Sequence, residues 1–256
     1  MAISSETQKV LPDSHDRGLK EEGVKHSNEE KDGVMKIDHP ENTVTRATVI
    51  FALCAAVNSC NLGYDVGVNT NAGPKIQEDF DLTDVQLELL LGSINFWSMF
   101  GALMAHHVTD VYGRRRTFLT AAIGFIVGIL IMSTAQSYAI LMFGRFFVGL
   151  GVGVGLAIDP LYIAEVSPAH ARGKLVCWAE IALDVGIVFG FATGIFLYEL
   201  DDGLQWRVML ACGAIMPTIM IYLVSFVMPE SPRWLVAQGQ EHAARVILEQ
   251  IYPPGK

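Results

Sequence analysis

Six stretches of about 20 largely apolar residues follow one another between residues 47 and 228, each long enough at about 1.5 Å rise per residue to cross bilayer hydrocarbon. They fall at about Ala47–Val68, Leu87–Val108, Thr117–Ala135, Tyr138–Asp159, Leu175–Leu197 and Val208–Met228. Lipid offers no water to backbone polar groups, so apolar stretches of this length are read as helices. They consume most of the chain after residue 46, which leaves no room for a separate soluble domain. A composition of 51% hydrophobic and 18% charged residues also argues against a water-soluble enzyme. The expected fold is all-α and integral to the membrane. Residues 46–228 form a six-span bundle, and 229–256 begin an intracellular helical segment.

Residues 1–45 hold 10 Asp/Glu, six Lys/Arg and three His. With few groups to bury, they are expected to be a disordered cytoplasmic tail. The formal net charge of −9 is drawn largely from this tail and two loops, so it points to no acidic or basic partner, and nucleic-acid binding has no support. Cys54, Cys60, Cys177 and Cys212 all lie inside predicted spans, which suggests neither a disulfide framework nor a zinc site. No secretory signal precedes the first span, which is expected to act as its own insertion signal.

Lys and Arg near the span ends set the topology. Arg114, Arg115, Arg116, Arg172, Lys174, Arg233, Arg245 and Lys256 fall on one side, against Lys75 and Arg207 on the other. Both ends of the chain are therefore expected in the cytoplasm. Beyond span six, Glu230–Tyr252 alternates apolar and charged residues after Pro229 and Pro232, the pattern of an amphipathic helix on the inner membrane face.

A charge in hydrocarbon costs at least about 2.5–3.5 kcal/mol on insertion scales, so each one found there is a functional candidate. Asp65 stands near the outer end of span one and Arg145 about seven residues into span four. The spans run in opposite directions, which brings the two charges to similar depth, where they can pair. One reading is a permanent structural ion pair; the other is a switch in which protonation of Asp65 releases Arg145. Glu180 and Asp184 share a face of span five, one turn apart, and are expected to look into a wet cavity that accepts a hydroxyl-rich ligand. An intramembrane hydrolase would need a nucleophile or metal beside them, and none accompanies the pair.

Gly149, Gly151, Gly153 and Gly155 resemble a nucleotide loop, but no strand precedes them. Close helix packing is the better reading. Pro160 and Pro217 read as kinks or helix ends. Asp159, beside Pro160, reads as a side chain that snorkels to the inner interface. The run Asp110-Val111-Tyr112-Gly113-Arg114-Arg115-Arg116 makes a very short turn between spans two and three, with Glu165 and Arg172 as candidate partners of a latch made and broken between conformations.

GYDVGV at 63–68, DVYGRRR at 110–116, RFFVGLGVGVGL at 145–156, PLYIAEVSPAHARGKL at 160–175 and PESPRWL at 229–235 occur in order. Together they resemble the amino-terminal half of a sugar porter of the major facilitator superfamily, from about residue 47 onward. The resemblance implies a six-helix amino-terminal bundle of that fold, alternating access, a monosaccharide or polyol as substrate, and a proton rather than a cofactor as coupling species. It implies Asp65 and Arg145 for proton coupling, and a sugar contact at Glu180, where many hexose members carry glutamine; the AEIALDVGIVFG run is closer to plant polyol and monosaccharide symporters. Asp110, Arg114, Glu165, Arg172, Glu230 and Arg233 would form a cytoplasmic charge network.

His106 departs from the family pattern, standing where a glycine usually makes a close helix contact. Asp159 and Asp184 are also unusual charges. Family members have about twelve spans, so the resemblance implies a fragment or truncated gene model whose missing carboxyl-terminal six-helix half supplies much of the site. The expected function is proton-coupled symport in a multi-pass membrane protein, with the plasma membrane as the expected location and the lipid bilayer as the other partner. The alternatives are a facilitated hexose uniporter and a non-transporting sugar sensor or half-length membrane protein.

Overall fold

The computed structural model describes residues 44–252, and the tail expected over residues 1–45 lies almost wholly outside them. Helices α1 (Arg46–Asp79), α2 (Asp84–Tyr112), α3 (Arg114–Ser133), α4 (Tyr138–Val166) and α5 (Arg172–Phe196) are the first five spans. Span six is two helices in line, α6 (Asp202–Cys212) and α7 (Ile215–Phe226), joined through a turn at Gly213 and Ala214. All six units are long and apolar enough to cross a membrane.

The helices outrun their apolar windows. The first span was expected to end near Val68, yet α1 continues through Pro74 to Asp79. The fourth was expected to end at Asp159, yet α4 continues through Pro160 to Val166. Neither Pro160 nor Pro74 ends a helix here. Hydropathy marks what lipid tolerates, while these extra turns bury Asn69, Ala72 and Ile76 of α1 and Tyr162, Ile163 and Val166 of α4 against neighbours.

The single amphipathic helix expected over Glu230–Tyr252 is also corrected. It is two helices, α8 (Pro232–Ala237) and α9 (Glu241–Ile251), divided where Gly239 takes φ +73°, a left-handed conformation costly for other residues. Pro232 is the first residue of α8, a position where its missing N–H costs nothing, and Ser231 caps that helix by accepting from Trp234 N at 3.4 Å. Ile251 of α9 is buried in the bundle's core, and Ile247 packs beside it.

Glycine sets how closely the spans approach. On α4, Gly149 and Gly153 face α2, Gly151 faces α3 and Gly155 faces Asn58 of α1, so four alternate glycines serve three neighbours. A second set went unread in the sequence. Gly63 and Gly67 of α1 lie against the carbonyls of Leu183 and Ile187, while Gly186 and Gly190 of α5 lie against those of Cys60 and Tyr64. His106 is 87% exposed at its side chain and takes no part in packing; Gly101, against the carbonyl of Leu150, makes the close contact instead.

Gly153→Ala is expected to lower thermal stability by about 1–3 kcal/mol, because its Cβ would run into the carbonyl of Ser98 and sit 2.8 Å from Ala102 N. Gly124→Ala, with nothing within 4 Å of its Cβ, is expected to be neutral or mildly stabilising. Equal melting of the two variants in detergent would mean that the α2–α4 seam yields.

Two apolar clusters fill the bundle. One, toward the Arg114 end, joins Phe51, Phe118, Tyr162, Leu175, Met220 and Met228. The other, toward the Asp79 end, joins Val68, Ile76, Leu90, Phe125, Met132 and Trp206. Along α1 the change from one to the other falls between Val57 and Leu62, a stretch that carries Asn58, Ser59 and Asn61.

Candidate functional site

Asp65 and Arg145 meet. Arg145 Nη1 lies 3.2 Å from Asp65 Oδ2, with side-chain exposures of 1% and 8%. Asn69, one turn beyond Asp65 on α1, completes a triad: its Oδ1 accepts from Arg145 Nη2 and its amide donates to the Asp65 carbonyl. Arg145 Nε is buried without an acceptor. The guanidinium is therefore held by α1 through one carboxylate and one neutral amide oxygen, in surroundings where an unpaired charge costs several kcal/mol.

A narrow crevice lined by Tyr64, Asp65, Phe125 and Leu210 adjoins the pair, and the Tyr64 hydroxyl donates to the Met209 carbonyl at 2.7 Å, tying α1 to α6. Asn69 escaped the sequence reading because it lies past the apolar window, in the polar run Asn69-Thr70-Asn71. Its i,i+4 spacing from Asp65 was the available signal.

At the far end of the bundle Arg114 makes a bidentate pair with Glu165, with Nε–Oε2 and Nη2–Oε1 both 2.8 Å. Arg114 Nη1 also donates to the Thr109 carbonyl at 3.2 Å and stands 3.5 Å from Asp110 Oδ1. Glu230 does something the sequence did not disclose. Its carboxylate accepts from the backbone N–H groups of Arg114 (2.7 Å), Arg115 (3.1 Å) and Ser231 (3.0 Å), which places an anion on the open N-terminus of α3. Gly113, at φ +89°, permits this approach, since a Cβ there would sit 2.6 Å from Glu230 Oε2. Trp234 donates to the Asp110 carbonyl at 2.9 Å, and Arg115 donates to the carbonyls of Val224 (2.8 Å) and Ser225 (2.6 Å) at the end of α7.

Arg172 and Arg233 are not drawn in. Both are exposed and neither side chain makes a hydrogen bond or ion pair within the described residues. Glu180 and Asp184 do share a face of α5; both are exposed, and neither side chain makes a hydrogen bond or ion pair among the described residues.

The snorkelling expected of Asp159 is overturned. Its side chain is buried at 3% exposure, because α4 carries on past Pro160 and turns the carboxylate inward onto α1. Ser59 Oγ lies 2.6 Å from Oδ2, and Asn58 donates to Oδ1 at 3.0 Å. At the opposite end Arg207 pairs with Asp79 at 3.5 Å, lies 4.2 Å over the Trp206 ring and donates to the Ala135 carbonyl, joining α1, α6 and the end of α3.

A bundle of six apolar helices, closed by glycine-mediated packing around a buried ion pair, is that of a multi-pass membrane protein of the major facilitator fold. The family model described as "Sugar (and other) transporter" matches residues 50–254, and the chain belongs to that family of sugar porters. It is 40% identical over 199 residues to Polyol transporter 5 of Arabidopsis thaliana, covering 78% of this chain and 37% of that one. It is 33% identical over 231 residues to Inositol transporter 4 of the same plant, covering 86% and 39%. Among solved structures it resembles the proton:xylose symporter XylE bound to 6-bromo-6-deoxy-D-glucose, with a TM-score of 0.75 at 25% identity, over 80% of this chain and 49% of that one. The chain thus spans about two fifths of the length of the plant relatives. These relatives are transporters, not enzymes, which removes the intramembrane hydrolase.

Proposed function

We propose that this bundle serves a proton-coupled symporter of a monosaccharide or polyol, working by alternating access together with a second six-helix bundle. The observation that carries this reading is the buried contact of Asp65 with Arg145 and Asn69, between α1 and α4. When Asp65 takes a proton, its charge is gone and Arg145 keeps only the Asn69 oxygen, so the hold of α4 on α1 weakens. When the proton leaves, the ion pair re-forms. A proton and a helix contact thus exclude one another, the minimum needed to couple ion movement to a conformational change.

Sugar hydroxyls are bound by exposed polar groups of α5, Glu180 and Asp184, on the face presented to the second bundle. The names of the relatives, polyol and inositol transporters, support a hydroxyl-rich substrate. The excess of Lys/Arg near the span ends on the Arg114 side supports a cytoplasmic position for α8, α9 and both chain ends. The plasma membrane is the proposed location. Arg114, Glu165, Asp110 and Glu230 are the charge network that keeps the cytoplasmic end closed, with Arg172 and Arg233 exposed outside it in this conformation.

The test is uptake by purified full-length protein in liposomes, offered hexoses, pentoses and polyols with and without an imposed pH gradient. Accumulation of one of these above equilibrium only with the gradient is expected. Uptake at a rate indifferent to pH makes the protein a facilitator, and no uptake of any of them makes it a sensor or scaffold. Glu180→Ala is expected to weaken substrate affinity about tenfold to a hundredfold, the loss of one hydrogen bond to a charged group. Unchanged affinity in a ligand competition assay would remove Glu180 from the site.

A further inference from the structure

Where the two apolar clusters meet, α4 contributes one carboxylate and α1 answers with two neutral side chains. Asp159, 3% exposed, has Asn58 donating to Oδ1 and Ser59 at 2.6 Å from Oδ2, both across the α1–α4 contact. No cation pairs with it among the described residues, in contrast to Asp65 and Glu165, each held by an arginine. Of the other helices touching α4, α2, α3, α5 and α8 bring no charged or titratable group within hydrogen-bonding or ion-pairing distance of Asp159 among the described residues, and the carboxylates of α5, Glu180 and Asp184, are exposed. Cys54, Cys60, Tyr64 and Asp65 are the titratable groups of α1 within two turns of Asn58, and none of them hydrogen-bonds to Asp159.

A buried carboxylate without a counter-charge is stable as its neutral acid, because desolvating the anion costs far more than two neutral hydrogen bonds return. The contacts accommodate an acid: with the proton on Oδ2, Asn58 N–H is aimed at the carbonyl oxygen Oδ1, and the Ser59 hydroxyl, 2.6 Å from Oδ2, rotates from donor to acceptor. We infer that Asp159, seated between Asn58 and Ser59, is a second proton-binding site of this bundle, loaded with its proton in the conformation described here.

The step is a simple acid–base one: a proton from water binds a carboxylate oxygen and leaves again to water. Asn58 and Asp65 lie seven residues apart on α1, which puts the two sites on one face of that helix roughly 10 Å apart. They are opposite in design. Asp65 is charged while α1 and α4 are joined, whereas Asp159 is neutral while they are joined and has to reach water when it loses its proton. Three residues after Asn58, Asn61 leaves a buried Oδ1 with no donor, so the same layer offers an acceptor to a water entering the seam. The consequence for transport rests on the symport reading above, but the protonation itself can be read without any transport.

The experiment is infrared difference spectroscopy of the purified full-length protein in lipid at neutral pH, where exposed carboxylates, with pKa of about 4, are ionised. A C=O stretch of a protonated carboxylic acid is expected, lost in Asp159→Asn and retained in Asp65→Asn. Ser59→Ala, which keeps the acid and removes the acceptor of its proton, is expected to shift that band. Absence of the band in the unmodified protein, or its survival in Asp159→Asn, overturns the inference. Should Asp159→Asn fail to fold, the Ser59→Ala shift decides, and an unmoved band is equally fatal. Failure of the symport reading would leave all of these spectra unchanged.

Discussion

Asp65→Asn in the full-length protein is expected to abolish accumulation of substrate against its gradient while leaving exchange of substrate across the membrane largely intact. The two side chains are nearly the same size, so packing on α1 is preserved and only the negative charge is lost. Arg145, 1% exposed, then keeps the Asn69 oxygen but no counter-ion, and removing one partner of a buried pair typically costs 3–5 kcal/mol. That cost falls on the conformation in which α1 and α4 are joined, and it no longer depends on a proton. The proposed substrate contacts on α5 are untouched, which is why exchange is expected to persist. Counterflow and pH-driven uptake in the same vesicles separate the two quantities. Accumulation undiminished in the variant would show that coupling runs through another group.

Glu165→Ala is expected to have the second-largest effect, opening the end of the bundle that carries Arg114. Glu165 is 4% exposed at its side chain and Arg114 9%, and the two are joined by paired 2.8 Å hydrogen bonds. Without Glu165, Arg114 keeps the Thr109 carbonyl and Asp110, which is 54% exposed and screened by water. A penalty of about 3–5 kcal/mol is expected against the conformation closed at this end, enough to invert a two-state equilibrium with a gap of a few kcal/mol. Arg172→Ala and Arg233→Ala serve as contrasts. Both side chains are exposed and unpaired in this conformation, so each is expected to shift it by less than about 0.5 kcal/mol. Thermal melting of the three purified variants tests the ordering, and equal melting points would show that the Arg114–Glu165 pair does not hold this end closed.

What could be read from the chain varied with the kind of signal. The Asp65–Arg145 pairing was legible because two lone charges in antiparallel apolar segments have a depth fixed by helical rise. Arg114 and Glu165 were legible for a related reason, each standing at the same end of a predicted span. Arg172 entered through its place in the loop after span four and Arg233 only through family resemblance, and neither signal says which conformation engages the residue.

The six-helix order and the membrane class were determined by the sequence alone, since hydrocarbon tolerates only long apolar helices and lone charges stand out against them. Tertiary structure alone decided that α1 and α4 run past their apolar windows, that Asn69 holds the other half of Arg145, that Glu230 caps α3 across Gly113, and that Asp159 faces inward rather than toward water. Each of these depends on which way a side chain turns toward a neighbouring helix. Hydropathy along one strand of sequence records the cost of meeting lipid, and it carries no record of the partner that removes that cost.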